Sequence, residues 1–217
     1  MPIQLGEDPL ILIALIFLEL LLILIPALIA GKIEHKSVKE ELNEMGFQKR
    51  NYTLNRILIE VFAGLGVGLF FFLISGYILF FFRNIIVENL FGTIFIKQGQ
   101  EGSISSEPLQ PTLIQLIIII ILQIIIVGPC EEGFFRGFVI KKYESKMRTI
   151  SAVLISSIFF SFYHVPPILV PLETIITYFG YYFIFGILLA LLFKCFNNSL
   201  IPCTVAHCFF NILIILF

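Results

Sequence analysis

Side chains capable of chemistry occur at three places in the most apolar part of this sequence. They form three short motifs, which are Glu131-Glu132-x-x-x-Arg136, Phe160-x-x-x-His164 and His207-x-x-x-Asn211. An ionised side chain at the centre of a bilayer costs about 2.5–3.5 kcal/mol on insertion scales. A charged group that is kept in an apolar segment at that cost is a candidate for function. These motifs are therefore the candidate sites of chemistry.

The first motif predicts one neutralised and one free glutamate. Glu132 and Arg136 are four residues apart on a helix, with the acid first, which is the favourable order for an ion pair. Glu131 points about 100° away from Glu132 around the helix. We therefore expect the Glu132–Arg136 pair to be mainly structural, and Glu131 to be a free carboxylate suited to act as a general base.

The other two motifs place histidines in apolar segments. The chain has three histidines, and two of them, His164 and His207, share a helix face with Phe160 and Asn211 respectively. Taken singly, a histidine within a membrane is about as often an interhelical hydrogen-bonding group as a functional one. The helical rise puts Glu131 about 15 Å and His164 about 20–24 Å from the basic segment between them. The two can meet if the helix that carries His164 tilts or begins near Ala152.

The composition predicts a membrane-embedded bundle that positions these motifs. Hydrophobic residues make up 59% of the 217 residues and charged ones only 13%, against about 25% charged in soluble domains. Crossing a bilayer takes about 20 apolar residues as helix. Six segments qualify: 9–31, 57–82, 112–139, 149–164, 168–196 and 199–217. We predict an all-α, polytopic transmembrane helical bundle of about six to eight membrane helices that encloses a membrane-embedded catalytic cavity. It is one domain over residues 1–217, with a catalytic core at 112–211.

Glycines and isolated glutamates give further expectations about these segments. The run Gly64, Gly66 and Gly68 predicts close helix packing rather than phosphate binding. In the long segment 168–196, Gly180 and Gly186 are candidate breaks. Three further glutamates belong to no recognisable motif and are expected to be structural: Glu19, Glu60 and Glu173. Glu60 is expected to lie near a membrane interface or to pair with Arg56 at i,i+4.

Lysine and arginine placement predicts the topology. Basic residues concentrate in two segments, 32–56 and 141–148, and both should lie on the cytoplasmic side. Residues 82–112 should then lie on the opposite side or re-enter without crossing. Within this region, residues 85–96 are expected to form an amphipathic interfacial piece followed by an exposed loop.

Several function classes are excluded. The formal net charge of −1 gives no sign of nucleic-acid binding. Asp8 is the only aspartate and lies outside the apolar segments, so a protease with two membrane aspartates is ruled out. The HExxH zinc motif is absent. No internal repeat is visible, which argues against a carrier built from inverted repeats.

Taken together, the three motifs resemble those of the CaaX-protease and bacteriocin-processing family (CPBP/Abi), in particular its type II CaaX prenyl endopeptidase branch, the Ras and a-factor converting enzymes. The stretch "NNSLIP" before the third motif is also similar to that family. The resemblance spans residues 112–211. It implies a helical bundle around a conical cavity open to the cytosol and the lipid. There a prenylated C-terminus would be cut after the modified cysteine, releasing the last three residues.

The resemblance also implies roles for the motif residues. Glu131 would activate water, His164 would hold or polarise that water, and His207 with Asn211 would form the oxyanion hole. Glu132, Arg136 and Phe160 would support these groups. A base and donors aimed at the developing oxyanion are what peptide hydrolysis needs. We favour a metal-free site because Asn211 beside His207 is typical of an oxyanion donor pair. The alternative is a zinc site of Glu131, His164 and His207.

Rival functions stay open at this point. They are a zinc-dependent intramembrane protease acting on another membrane peptide, a non-proteolytic immunity or scaffold protein, and a proton-coupled carrier that uses Glu131 and His164 as a relay. The expected partners are a prenylated protein or peptide and membrane lipid, with no nucleic acid and a monomeric state. The Ile/Lys-rich composition and short loops favour a multi-pass protein of a prokaryotic cell membrane over the endoplasmic reticulum.

Overall fold

The computed structural model describes residues 9–48, 52–103 and 111–217, where the secondary structure is helical and these ranges contain no strand. Asp8, part of the first basic segment and part of the predicted 82–112 loop lie outside them. The helices are α1 (Ile13–Glu34), α2 (Val38–Leu42), α3 (Leu54–Phe91), α4 (Thr93–Glu101), α5 (Leu113–Glu144), α6 (Thr149–His164), α7 (Leu172–Cys195) and α8 (Leu200–Leu216).

Six of these helices are apolar and correspond to the six predicted segments. α1, α3, α5 and α7 have 22, 38, 32 and 24 residues and are long and apolar enough to cross a membrane. α6 and α8 are shorter, with 16 and 17 residues. The fold is thus the predicted all-α polytopic bundle, and the chain is an integral membrane protein.

The second span is longer than predicted. α3 continues to Phe91 through wide π-helical turns at Phe81–Val87, so the piece expected to be interfacial is divided between the end of α3 and α4. Gly92 separates the two helices with a φ of 86°, a conformation that glycine adopts without steric cost. α4 then packs along α7, where Thr174 Oγ1 donates to the Gly99 carbonyl at 2.8 Å.

The expected breaks at Gly180 and Gly186 do not occur, because α7 is one continuous helix. Both glycines instead allow neighbouring helices to approach. A Cβ at position 180 would lie 2.2 Å from the Phe82 ring, and one at position 186 would lie 2.9 Å from Ser157 Cα. In an apolar helix, a glycine can indicate either a bend or a close contact with a neighbouring helix. Both glycines of α7 belong to the second kind.

The glycine run of α3 forms the predicted close helix contact. A Cβ at Gly64 or Gly68 would lie 2.7 Å from the carbonyl oxygens of Pro202 or Ala206 in α8, whereas Gly66 faces open space. Small residues let helix backbones approach in a membrane, where the hydrophobic effect between helices is absent. This contact places the middle of α8 beside α3 and fixes the depth of the third motif.

The two basic segments meet at one end of the bundle. Lys142 Nζ lies 2.6 Å from Glu34 Oε1 and 2.9 Å from Glu41 Oε2. Lys141 Nζ donates to the Glu44 carbonyl at 2.7 Å. Both segments therefore lie on the same side, as predicted from their charge.

Candidate active site

Glu131 faces both membrane histidines. Its Oε2 atom lies 3.9 Å from His164 Nε2 and 3.8 Å from His207 Nε2. These distances exceed a hydrogen bond, whose heavy atoms are about 2.7–3.2 Å apart. The glutamate is 4% exposed, and Oε2 has no hydrogen-bond partner among the residues that the structure describes. The structure therefore brings together the central groups of all three motifs around a buried carboxylate oxygen with free acceptor capacity.

His164 is the last residue of α6, and its ring is held on several sides. Nδ1 lies 3.0 Å from the Phe160 carbonyl oxygen. Because a carbonyl only accepts, the hydrogen-bond network assigns the proton to Nδ1 and leaves Nε2 as an acceptor. The Phe160 and Tyr182 rings pack against the imidazole with centroids at 4.3 and 4.6 Å.

Glu132 orients His207 as well as pairing with Arg136. Its Oε1 accepts from His207 Nδ1 at 2.8 Å and from Arg136 at 2.9 Å. Arg136 also donates to the Gly186 carbonyl at 3.0 Å. The predicted Glu132–Arg136 pair is thus present, but Glu132 is not only its acid partner. A carboxylate on Nδ1 fixes the ring and leaves Nε2 to face Glu131, the arrangement that also orients histidines at metal sites.

Asn211 lies one helical turn beyond His207, and its amide has a partner from another helix. Asn211 Nδ2 donates to Gln123 Oε1 of α5 at 3.1 Å. An amide nitrogen carries two hydrogens, so this bond leaves one for another acceptor. The sequence reasoning missed Gln123, although an isolated amide inside the run "LIIIIILQIII" is a signal that could have found it.

A cavity of about 300 Å³ reaches the site at these residues. It is walled by side chains of α3, α6, α7 and α8, and its lining residues with polar groups are His164, Tyr181, Tyr182, His207 and Asn211. The rest of the wall is aromatic and aliphatic. A small polar patch on an apolar wall is typical of ligand sites and suits a substrate with an apolar part.

The donor spacing is wider than a tetrahedral zinc site requires. Zinc bound at about 2.0–2.1 Å brings its donor atoms to about 3.3 Å of one another. Within residues 9–48, 52–103 and 111–217, one group of three acidic, thiol or imidazole side chains has all donor atoms within 4.8 Å, namely Glu34, Glu41 and Glu44. Glu131, His164 and His207 do not form such a group, and the Glu131 Oε2 atom lies 3.9 and 3.8 Å from the two Nε2 atoms.

Two residues beside the site were not predicted to take part in it. The Tyr163 hydroxyl of α6 donates to Glu19 of α1. Glu19 was expected to be structural and had no recognisable partner, because the two residues are 144 positions apart. Away from this cavity, Glu60 pairs with Arg56 at 2.9 Å as predicted, and also accepts from Ser199 at 2.7 Å.

Comparison with known proteins agrees with the motifs. Neither a curated protein nor a solved structure matches the chain. Residues 113–213 match the family described as type II CAAX prenyl endopeptidase Rce1-like. All seven motif residues fall inside this range, whereas α1 to α4 fall outside it. Over residues 113–213 the chain is therefore similar to the Rce1-like family of CaaX-type intramembrane proteases.

Proposed function

We propose that this protein is an intramembrane endopeptidase that cleaves a prenylated CaaX C-terminus after the modified cysteine and releases the last three residues. The observation that carries the proposal is the buried Glu131 oxygen, unpartnered and facing Nε2 of both His164 and His207. The Rce1-like match supports the peptidase chemistry.

The gap between these atoms suits a water molecule. A water about 2.8 Å from both Glu131 Oε2 and His164 Nε2 is compatible with their separation of 3.9 Å. Both atoms accept, so the water gives one hydrogen to each. Glu131 then takes its proton as the water oxygen attacks the scissile carbonyl carbon. That proton passes to the leaving nitrogen when the C–N bond breaks.

The oxyanion is stabilised from α8. His207 Nε2, when protonated, and the remaining Asn211 hydrogen donate to the carbonyl oxygen as it gains charge. Glu132 accepts from His207 Nδ1 and stabilises the imidazolium form. Arg136 lies with its guanidinium carbon 4.7 Å from the centre of the Phe160 ring and keeps Glu132 ionised through their 2.9 Å bond. The donor spacing supports a glutamate mechanism, so no step runs through a metal.

The cavity supports a substrate that is part lipid. Its wall is mostly aromatic and aliphatic, and its polar groups cluster at the proposed site. A prenyl group would occupy the apolar part and place the following peptide bond beside the polar groups. We propose that the protein acts as a monomer in a prokaryotic cell membrane.

The test is cleavage of a fluorogenic farnesylated CaaX peptide by purified protein in lipid nanodiscs. Glu131→Gln should lower kcat by about 10²–10⁴-fold, the usual contribution of a positioned base. Glu60→Gln is the matched control, because Glu60 is also a buried glutamate but bonds Arg56 and Ser199 away from the cavity. Its kcat should equal that of the wild type.

Three results would contradict parts of this proposal. Activity lost with a chelator and regained with zinc would make Glu131, His164 and His207 metal ligands. Equal cleavage of the peptide without its farnesyl group would remove the prenyl requirement. No cleavage by well-folded wild-type protein would reject the prenyl peptidase and favour the scaffold.

A further inference from the structure

α1 contributes a charged side chain at the level of the proposed site. Glu19 is the only charged residue between Asp8 and Lys32. An unpaired charge at such a place costs about 2.5–3.5 kcal/mol on insertion scales. It lies outside residues 113–213, so the family match assigns it nothing. The proposed mechanism does not use it either.

Glu19 connects to the site through Tyr163. The Tyr163 hydroxyl of α6 donates to Glu19 Oε1, and the other Glu19 oxygen is buried with no hydrogen-bond partner in residues 9–48, 52–103 and 111–217. The Tyr163 ring packs against Phe135 with centroids 5.6 Å apart and meets the His164 ring edge-on at 5.4 Å. The Glu19 carboxylate also lies within electrostatic range of Glu131 and His207.

The hydrogen bond between Tyr163 and Glu19 lies at the last turn of α6. His164 is the final residue of the helix, and the chain leaves it for the proline-containing segment 165–171. The last turn of a helix has carbonyls without helical partners and is the part that frays. Phe160 and Tyr182 pack against the His164 ring, while Tyr163 meets it edge-on and is itself held from another helix.

We propose that Glu19 and Tyr163 are a positioning pair for the proposed peptidase reaction. Glu19 fixes the Tyr163 ring, and Tyr163 fixes the orientation of His164 and the end of α6. This inference rests on the proposed function, because His164 matters only if it holds the attacking water. It extends the site to α1, beyond the part of the chain that the family match covers.

The experiment is a double-mutant cycle with Glu19→Ala, Tyr163→Phe and the double variant. Tyr163→Phe keeps the ring and removes only the hydroxyl that donates to Glu19. Each single variant should lower kcat by about 10-fold or more and leave KM within about twofold, since small misplacements of a reacting group are costly. The double variant should be no worse than the worse single one, because both changes break the same bond.

Conservative replacement separates positioning from charge. Glu19→Gln keeps an oxygen that accepts from Tyr163, so it should restore most of the kcat lost in Glu19→Ala. Glu60→Ala is the matched control, since it removes a buried carboxylate bonded to Arg56 and Ser199. It should lower the melting temperature and leave kcat unchanged.

A second readout does not depend on catalysis. Diethyl pyrocarbonate modifies neutral imidazoles, and mass spectrometry can follow its reaction with His164. The rate should rise in Glu19→Ala and Tyr163→Phe, whose His164 is less restrained, and match the wild type in Glu60→Ala. A wild type that cleaves no peptide would reject the proposed function while this rate still tests the pair. Additive losses in kcat, or unchanged labelling of His164, would overturn the proposal that Glu19 and Tyr163 position His164 together.

Discussion

Glu132 connects two of the three motifs, because it is hydrogen-bonded to both Arg136 and His207. One of its oxygens accepts from both Arg136 and His207, and all three side chains are buried. The i,i+4 spacing of Glu132 and Arg136 predicted their pair. The bond to His207 was not predictable, since it joins residues 75 positions apart and depends on how α5 and α8 rotate against each other. The sequence thus predicted which glutamate pairs with Arg136, but not that Glu132 also holds His207.

Replacing Glu132 alone should destabilise the protein more than replacing both Glu132 and Arg136. Glu132→Leu leaves the Arg136 guanidinium buried without its carboxylate, which costs about 3–5 kcal/mol for a buried pair. The double variant with Arg136→Met replaces the pair with apolar groups and should be more stable than Glu132→Leu alone. Thermal unfolding in detergent measures both. A double variant less stable than the single one would contradict the buried ion pair.

At the scale of helices, small residues decide how closely the site's supports approach. Gly64 and Gly68 of α3 face the backbone of α8, and Gly186 of α7 faces α6. The sequence predicted the first contact but not its partner helix, because a glycine run shows that something comes close without showing what. It misjudged Gly186, where the close approach of Ser157 explains the glycine.

The glycine run contains its own control. Gly68→Leu inserts a side chain against the Ala206 carbonyl and should destabilise the protein by about 1–3 kcal/mol or more. Gly66→Leu adds the same side chain where a Cβ meets nothing within 4 Å, and it should leave the melting temperature nearly unchanged or raise it. Equal losses in both variants would mean that α3 and α8 do not meet through this face.

At the scale of the whole molecule, the two histidine helices are short for a bilayer. The 16 residues of α6 rise about 24 Å, against a hydrocarbon thickness of about 30 Å. The apolar segment 165–171 continues from α6 and exposes 96% of Ile168. Three of its seven residues are prolines, which lack an N–H, and the N–H groups of Val165, Leu169 and Val170 donate to the chain. This segment therefore suits contact with lipid.

The absence of tryptophan makes this depth measurable. Ile168→Trp introduces the sole tryptophan of the chain. Its fluorescence should be quenched by lipids brominated on their acyl chains and resist iodide in the water. Met147→Trp, in the second basic segment, is the control and should respond to iodide. Strong iodide quenching at position 168 would place the segment in water.

The positions of the six apolar segments and the shared side of the basic segments followed from the sequence, because hydropathy and charge act locally. The cytoplasmic assignment of that side stays a prediction. Contacts between distant helices did not follow, as with Glu19 and Tyr163. The sequence around Glu19 does not specify Tyr163, and the sequence around Tyr163 does not specify Glu19.

The separation of that pair has a consequence for biosynthesis. Glu19 enters the membrane when α1 is made, but its partner is encoded 144 residues later. At about 5–20 residues per second, the ribosome needs about 7–30 s to reach Tyr163. During that interval α1 resides in the bilayer with an acidic group that has not yet met its donor. A nascent chain arrested before α6 would keep this group exposed, and membrane quality control could distinguish it from the finished protein.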